Sequence, residues 1–269
     1  MPPPPRVATT KELVDRLNAE SAAIRTLKAT VDLTPTAGSV YSGVIQEYHD
    51  VKGFILLERP ARIRMIGQAP VVRTDIFDMA ADGKEFRLYI PSKQKFIVGD
   101  VAFHRPAKNA LENLRPQHIS EALLLPGIDP ATDDYFSEEA EEGGRRYYVV
   151  DVLARQAQGG GLLQLERKIW FDRSTLDIAR LQFYGEGGSR LEDVDYADYK
   201  DFGGVRYPSK VEIHRPLEDY RLQINLLTAT FNQPIPSDKF TLKKPDSAEL
   251  VRLSDGPPTQ ETAGSEQRQ

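Results

Sequence analysis

The chain contains no cysteine among its 269 residues. A disulfide framework, a thiolate nucleophile and a cysteine metal site are therefore excluded, although the absence does not by itself fix the compartment. Long apolar runs are missing too. No stretch approaches the roughly 18 residues that a membrane-spanning helix requires, and Met1 leads into Pro2, Pro3, Pro4 and Pro5 without an apolar signal core. Charge of one sign is not concentrated anywhere. The net charge is -5, and Lys and Arg alternate with Asp and Glu, so nucleic acid is a poor partner.

Histidine is scarce, with four in the chain, and His49, His104, His118 and His214 are scattered without an HExxH or other short ligand spacing. They read as surface or hydrogen-bonded residues, and no metal or cofactor is expected. Asp201-Phe202-Gly203 lacks the other kinase motifs and reads as a hairpin turn. Gly159-Gly-Gly lacks the Lys-Ser/Thr ending of a phosphate loop. Asp129, Asp133 and Asp134 lack the central glycine and final Glu of a calcium loop, which leaves a solvated acidic loop. No GxSxG elbow is present. Nothing in the sequence points to catalysis.

What the chain does have is 40% hydrophobic and 28% charged residues, enough for one large β-rich domain or two small ones. The proline run at 1–8 reads as a linker and the polar stretch at 246–269 as a flexible tail, leaving a single domain over 9–245. The first ordered element is predicted as a helix from Thr10 to Thr26. Thr9 and Glu12 form a capping-box pattern, and Leu13, Leu17 and Ile24 share a face.

Strands are predicted at Leu27 to Leu33, Val40 to Tyr48, Gly53 to Leu57, Ala61 to Ile66, Val72 to Met79, Phe86 to Ile90 and Phe96 to Val98. A second helical stretch runs from Asn109 to Leu125, with Leu111, Leu114, Ile119 and Leu123 on its apolar side. Strands resume at Arg145 to Leu153, Leu162 to Phe171, Leu176 to Tyr184, Arg190 to Tyr199, Val205 to His214 and Tyr220 to Phe231. The short connections suit antiparallel neighbours, because parallel strands need crossovers of a dozen or more residues. So many strands cannot form a flat open sheet, and a strongly curved, barrel-like sheet follows.

Three segments stand out in order: Gly53-Phe-Ile-Leu-Leu-Glu-Arg-Pro-Ala-Arg-Ile-Arg-Met, Asp82-Gly-Lys-Glu-Phe-Arg-Leu-Tyr-Ile-Pro, and Phe231-Asn-Gln-Pro-Ile-Pro-Ser-Asp-Lys-Phe-Thr-Leu. Together they resemble the LolA and LolB lipoprotein-carrier superfamily over roughly Thr10 to Pro245. The resemblance implies an unclosed antiparallel β-barrel with a helical lid over an apolar cavity. It also implies a monomeric, non-enzymatic carrier or acceptor of lipid or lipoprotein acyl chains in the bacterial periplasm. Anchorage to the outer membrane through a lipidated N-terminal Cys ahead of the proline run belongs to the same implication. Arg59 matches the Arg before Pro that helps hold the lid closed in the carrier; a solvent-facing strand-end Arg is the alternative.

Strand alternation supplies an independent reading of the cavity wall. One parity is apolar, which places Ile63, Met65, Phe86, Leu88, Val150, Leu163, Leu165, Leu181, Phe183, Leu222 and Ile224 on the concave face. Either these residues line a space for acyl chains, or the two helices fill the concavity and they are core. An envelope sensor or scaffold that uses the fold to bind a protein partner is the second functional reading.

Overall fold

The computed structural model describes residues 5–38, 46–47, 51–101, 114–155 and 163–253. His49, His104, Leu111, the Gly159-Gly-Gly turn, the prolines before Pro5 and the chain after Leu253 lie outside the described residues. Helix α1 (Thr10–Ala23) starts at a full capping box, with the Glu12 N–H donating to the Thr9 hydroxyl and the Thr9 N–H donating to the Glu12 carboxylate. It stops short of the predicted Thr26 because that residue already pairs with Glu58 as a strand.

The strands follow as β1 (Thr26–Ala37), β2 (Gln46–Glu47), β3 (Val51–Glu58), β4 (Arg62–Gln68), β5 (Asp75–Ala81), β6 (Glu85–Ile90) and β7 (Lys95–Asp100). Helix α2 (Pro116–Leu123) begins at the proline that cannot extend a preceding helix. After it come β8 (Asp134–Glu142), β9 (Arg145–Arg155), β10 (Leu163–Asp172), β11 (Ile178–Tyr184), β12 (Arg190–Phe202), β13 (Val205–Arg215), β14 (Tyr220–Phe231) and β15 (Glu249–Leu253).

All of these strands belong to one sheet, ordered β15-β7-β6-β5-β4-β3-β1-β14-β13-β12-β11-β10-β9-β8, with β2 pairing beside β1. The fold is the expected unclosed, curved antiparallel barrel. Two meanders are joined where β1 meets β14, from Leu27 opposite Phe231 to Ala37 opposite Tyr220. β8 and β15 stand at the two edges without pairing to each other.

Two elements depart from the expectation. Asp129 and Asp133 lie in the expected acidic loop, but Asp134 opens edge strand β8, whose carboxylates are held by cations such as Arg155 of β9 and Lys168 of β10. Residues inside the predicted flexible tail form β15, which adds one parallel pair alongside β7. The presumed linker is also partly tied down, since the Arg6 N–H donates to the Arg173 carbonyl and the Tyr148 hydroxyl to the Arg6 carbonyl.

Helix α1 closes the end of the barrel that carries the β3–β4 and β10–β11 turns. Its Thr10 meets Ser137 of β8 at 2.6 Å, and its Arg16 meets Asp177 after β10 at 3.4 Å. Leu13, Val14 and Leu17 turn inward and are buried, as are Ile119, Ala122 and Leu123 of α2. Both helices therefore pack on the concave face.

Candidate functional site

The concave face is built from cross-strand rows. Val150, Ile169, Leu181, Val194, Ile213 and Leu222 stand side by side on β9 to β14, each at most 1% exposed. On the other meander Ile55, Met65, Met79, Leu88 and Ile97 make the matching row. Of the residues placed on the cavity wall by alternation, Ile63, Met65, Phe86, Leu88, Val150, Leu181, Leu222 and Ile224 are buried on this face. Phe183 packs against the same core from the rim and is partly exposed.

Leu163 and Leu165 are corrections. A bulge between Leu165 and Arg167 sets Leu165 opposite Leu153 and Leu163 opposite Arg155, while Arg167 takes the inward place opposite Val152. One inserted residue reverses the parity of the strand beyond it. Leu163 is accordingly half exposed on the convex face and Leu165 half-buried there. Leu165→Trp is expected to alter stability by no more than about 0.5 kcal/mol, whereas Leu181→Trp overpacks the interior and costs about 1–3 kcal/mol. Urea unfolding of the two variants measures the contrast, and equal losses would contradict the bulge.

The C-terminal end of α2 is held by side chains rather than by a glycine cap. A helix leaves its last four carbonyls without intrahelical donors. Here Tyr196 donates to the Ala122 carbonyl at 2.8 Å, and Tyr207 donates to that of Leu123. Burial pushes both phenols above their ordinary range, so each stays protonated as a donor. Beyond the helix, Ser21 donates to Leu125, Arg167 to Pro126 and Gly127, and Asn18 to Ile128. Arg59 completes the clasp. Its Nε donates to the Ile24 carbonyl of the α1 cap at 2.9 Å, and its Nη2 donates to the Leu125 carbonyl at 2.9 Å and to Ser21 at 3.2 Å. One guanidinium therefore ties the ends of both helices to the β3–β4 turn.

A groove of about 290 Å³ opens beside this clasp, between the C-terminal ends of α1 and α2 and the β12–β13 hairpin. Ile24, Leu124, Leu125, Val205 and Pro208 give it a mainly apolar lining, and Arg59, Tyr196 and Tyr207 stand in its wall. Its volume lies at the lower end of the roughly 300–1,000 Å³ usual for small-molecule sites.

At the other end of α2 the concave face changes character. The next row carries Arg167, Phe183, Glu192, Arg215 and Tyr220. Arg215 lies 2.9 Å from Glu192 and 2.5 Å from Glu218, and His118 of α2 approaches Glu192 through Nδ1 at 3.1 Å. Glu192 is wholly buried, which pushes its carboxyl up to about 7 against the opposing pull of Arg215. Alternation placed the apolar wall; it did not single out these charged residues or the tyrosines of the clasp, although all share the inward parity of their strands.

An unclosed, curved antiparallel barrel with helices packed on its concave face defines the class of fold. The particular fold is that of the LolA superfamily. A LolA superfamily protein from Nitrosomonas europaea superposes with a TM-score of 0.54 at 11% identity, over 88% of this chain and 99% of that one. A putative outer membrane lipoprotein-sorting protein domain from Vibrio parahaemolyticus gives 0.52 at 12% identity, over 85% and 94% of the two chains. A DUF1329 family protein from Desulfovibrio piger gives 0.53 at 12%, with the same coverage. No protein-family model matches the sequence, and no curated protein does.

Proposed function

We propose that the protein binds acyl chains without chemically changing them, as a carrier or acceptor in the bacterial cell envelope, with α2 as a lid. The observation that carries this reading is the mismatch between the lid's two attachments. Its end is fixed by individual hydrogen bonds that can be exchanged, while beneath it lie continuous apolar rows suited to a hydrocarbon chain. Burying each CH₂ there stabilises a bound chain by roughly 0.8 kcal/mol, so binding needs little headgroup specificity to begin. The groove beside Arg59 is the natural point of entry, since it reaches the clasp from outside. Likeness in fold to a lipoprotein-sorting domain supports the same reading.

Native mass spectrometry of the protein purified from a bacterial envelope, combined with uptake of a fluorescent fatty acid, tests it. Co-purified lipid and saturable uptake are expected. A folded protein that carries no lipid and takes up no fatty acid would sink the proposal. That outcome would favour the scaffold reading, which draws on exposed Phe136 and Leu163 on the convex face near edge strand β8.

A further inference from the structure

The concave face is amphipathic along the barrel axis. A two-residue step along β12, β13 and β14 passes from Val194, Ile213 and Leu222 to Glu192, Arg215 and Tyr220. The polar row lies away from α1, which closes the opposite end, and α2 covers it through His118. Its residues are among the most enclosed in the protein, at 0%, 4% and 3% exposure, yet each retains a buried polar atom without a partner: Glu192 Oε1, Arg215 Nε and the Tyr220 hydroxyl. An unmet buried donor or acceptor costs about 1–3 kcal/mol, so a group able to bond several of these atoms at once would be stabilised here.

The charges limit what would satisfy them. Arg215 is already matched by Glu192 and Glu218, and Arg167 by Asp133 at 3.6 Å. Among the described residues, neither guanidinium of this row lacks a carboxylate, and two carboxylates would repel an anion. With Arg167 Nε and Glu218 Oε2 also unmet, the open valences are two N–H donors, two carboxyl oxygens and a hydroxyl able to do either, a set that suits a neutral group which both donates and accepts.

We infer that Glu192, Arg215 and Tyr220 form the headgroup subsite for an acyl amphiphile whose head is uncharged and hydrogen-bonding, an amide or a glyceryl hydroxyl, with its chain along the apolar rows toward α1. This rests on the acyl-binding reading and on α2 lifting away from Glu192. The carboxyl of Glu192, raised by burial to about 7, can donate or accept near neutrality.

The test is displacement of bound Nile red, a neutral dye, by palmitamide, monopalmitoylglycerol and ionised palmitate at mildly alkaline pH. One or both neutral ligands should displace the dye at concentrations about tenfold lower than palmitate, and whichever does so identifies the headgroup. Tyr220→Phe should bring the favoured ligand to within about twofold of palmitate while leaving palmitate unchanged. That variant removes only an unpartnered oxygen, so its melting temperature should not fall. If palmitate displaces the dye as well as the neutral ligands do, the subsite is refuted while acyl binding stands. If none of the three displaces the dye, acyl binding itself fails and the subsite fails with it.

Discussion

Arg59→Leu should increase the rate of acyl-chain release about tenfold or more and quicken hydrogen exchange at the backbone amides of α2 by a similar factor. The guanidinium donates to Ile24, Leu125 and Ser21 at once, so its removal frees both helix ends from the β3–β4 turn. A charge-assisted hydrogen bond contributes roughly 1.5–3 kcal/mol net, and about 1.4 kcal/mol is tenfold in an opening equilibrium. The Leu125 carbonyl keeps its bond from Ser21, whereas that of Ile24 loses the bond from Arg59. The loss should therefore fall chiefly on the junction between α1 and the lid. Lysine at this position retains the charge but not the planar fork, so Arg59→Lys should recover only part of the effect. Unchanged exchange together with an unchanged off-rate in Arg59→Leu would show that the clasp does not gate the barrel.

How far the sequence anticipates these contacts depends on the kind of signal. Helix α1 was legible from its capping box and the spacing of Leu13 and Leu17, because both patterns are local. The meanders were legible because alternation and turn residues repeat at short range. Edge strand β8 was obscured by its own charge: Glu138 and Glu139 look like a solvated run until Lys168 and Arg173 arrive from neighbouring parts of the fold. The bulge in β10 could not be read at all. Leu163, Leu165, Ile169 and Phe171 keep one parity in sequence, and only the pairing with β9 shows that the first two face outward. The inward parity of Glu192 and Arg215 was visible in the alternation that sets Glu192 in step with Val194 and Tyr196, and Arg215 in step with Val211 and Ile213. Inward charge is legible as a position, but its pairing across β12 and β13 comes only from register.

That pair carries the other large expected effect. Glu192 is met by Arg215 from β13 and His118 from α2, with Glu121 and Glu218 adding like charge nearby. Burial outweighs Arg215 and raises the carboxyl from 4.5 to about 7. The folded state thus holds this proton more tightly than the unfolded chain does. Below about pH 4.5 both states are protonated, and above about pH 7 both are ionised. Between those limits unfolding releases a proton, so the contribution of Glu192 to stability falls as pH rises. Glu192→Gln cannot titrate. Relative to wild type, its unfolding free energy should therefore rise across that window by an amount on the order of 1–3 kcal/mol, and stay level on either side. Arg215→Met acts in the opposite sense. It leaves an ionised carboxylate buried without its cation, which costs about 3–5 kcal/mol above pH 7 and much less near pH 4.5, where the carboxyl is neutral in both states. Urea unfolding of both variants and wild type over this pH range measures the two slopes. If the Glu192→Gln difference stays constant throughout, the folded and unfolded chains hold the Glu192 proton equally, and the charge of Arg215 offsets burial.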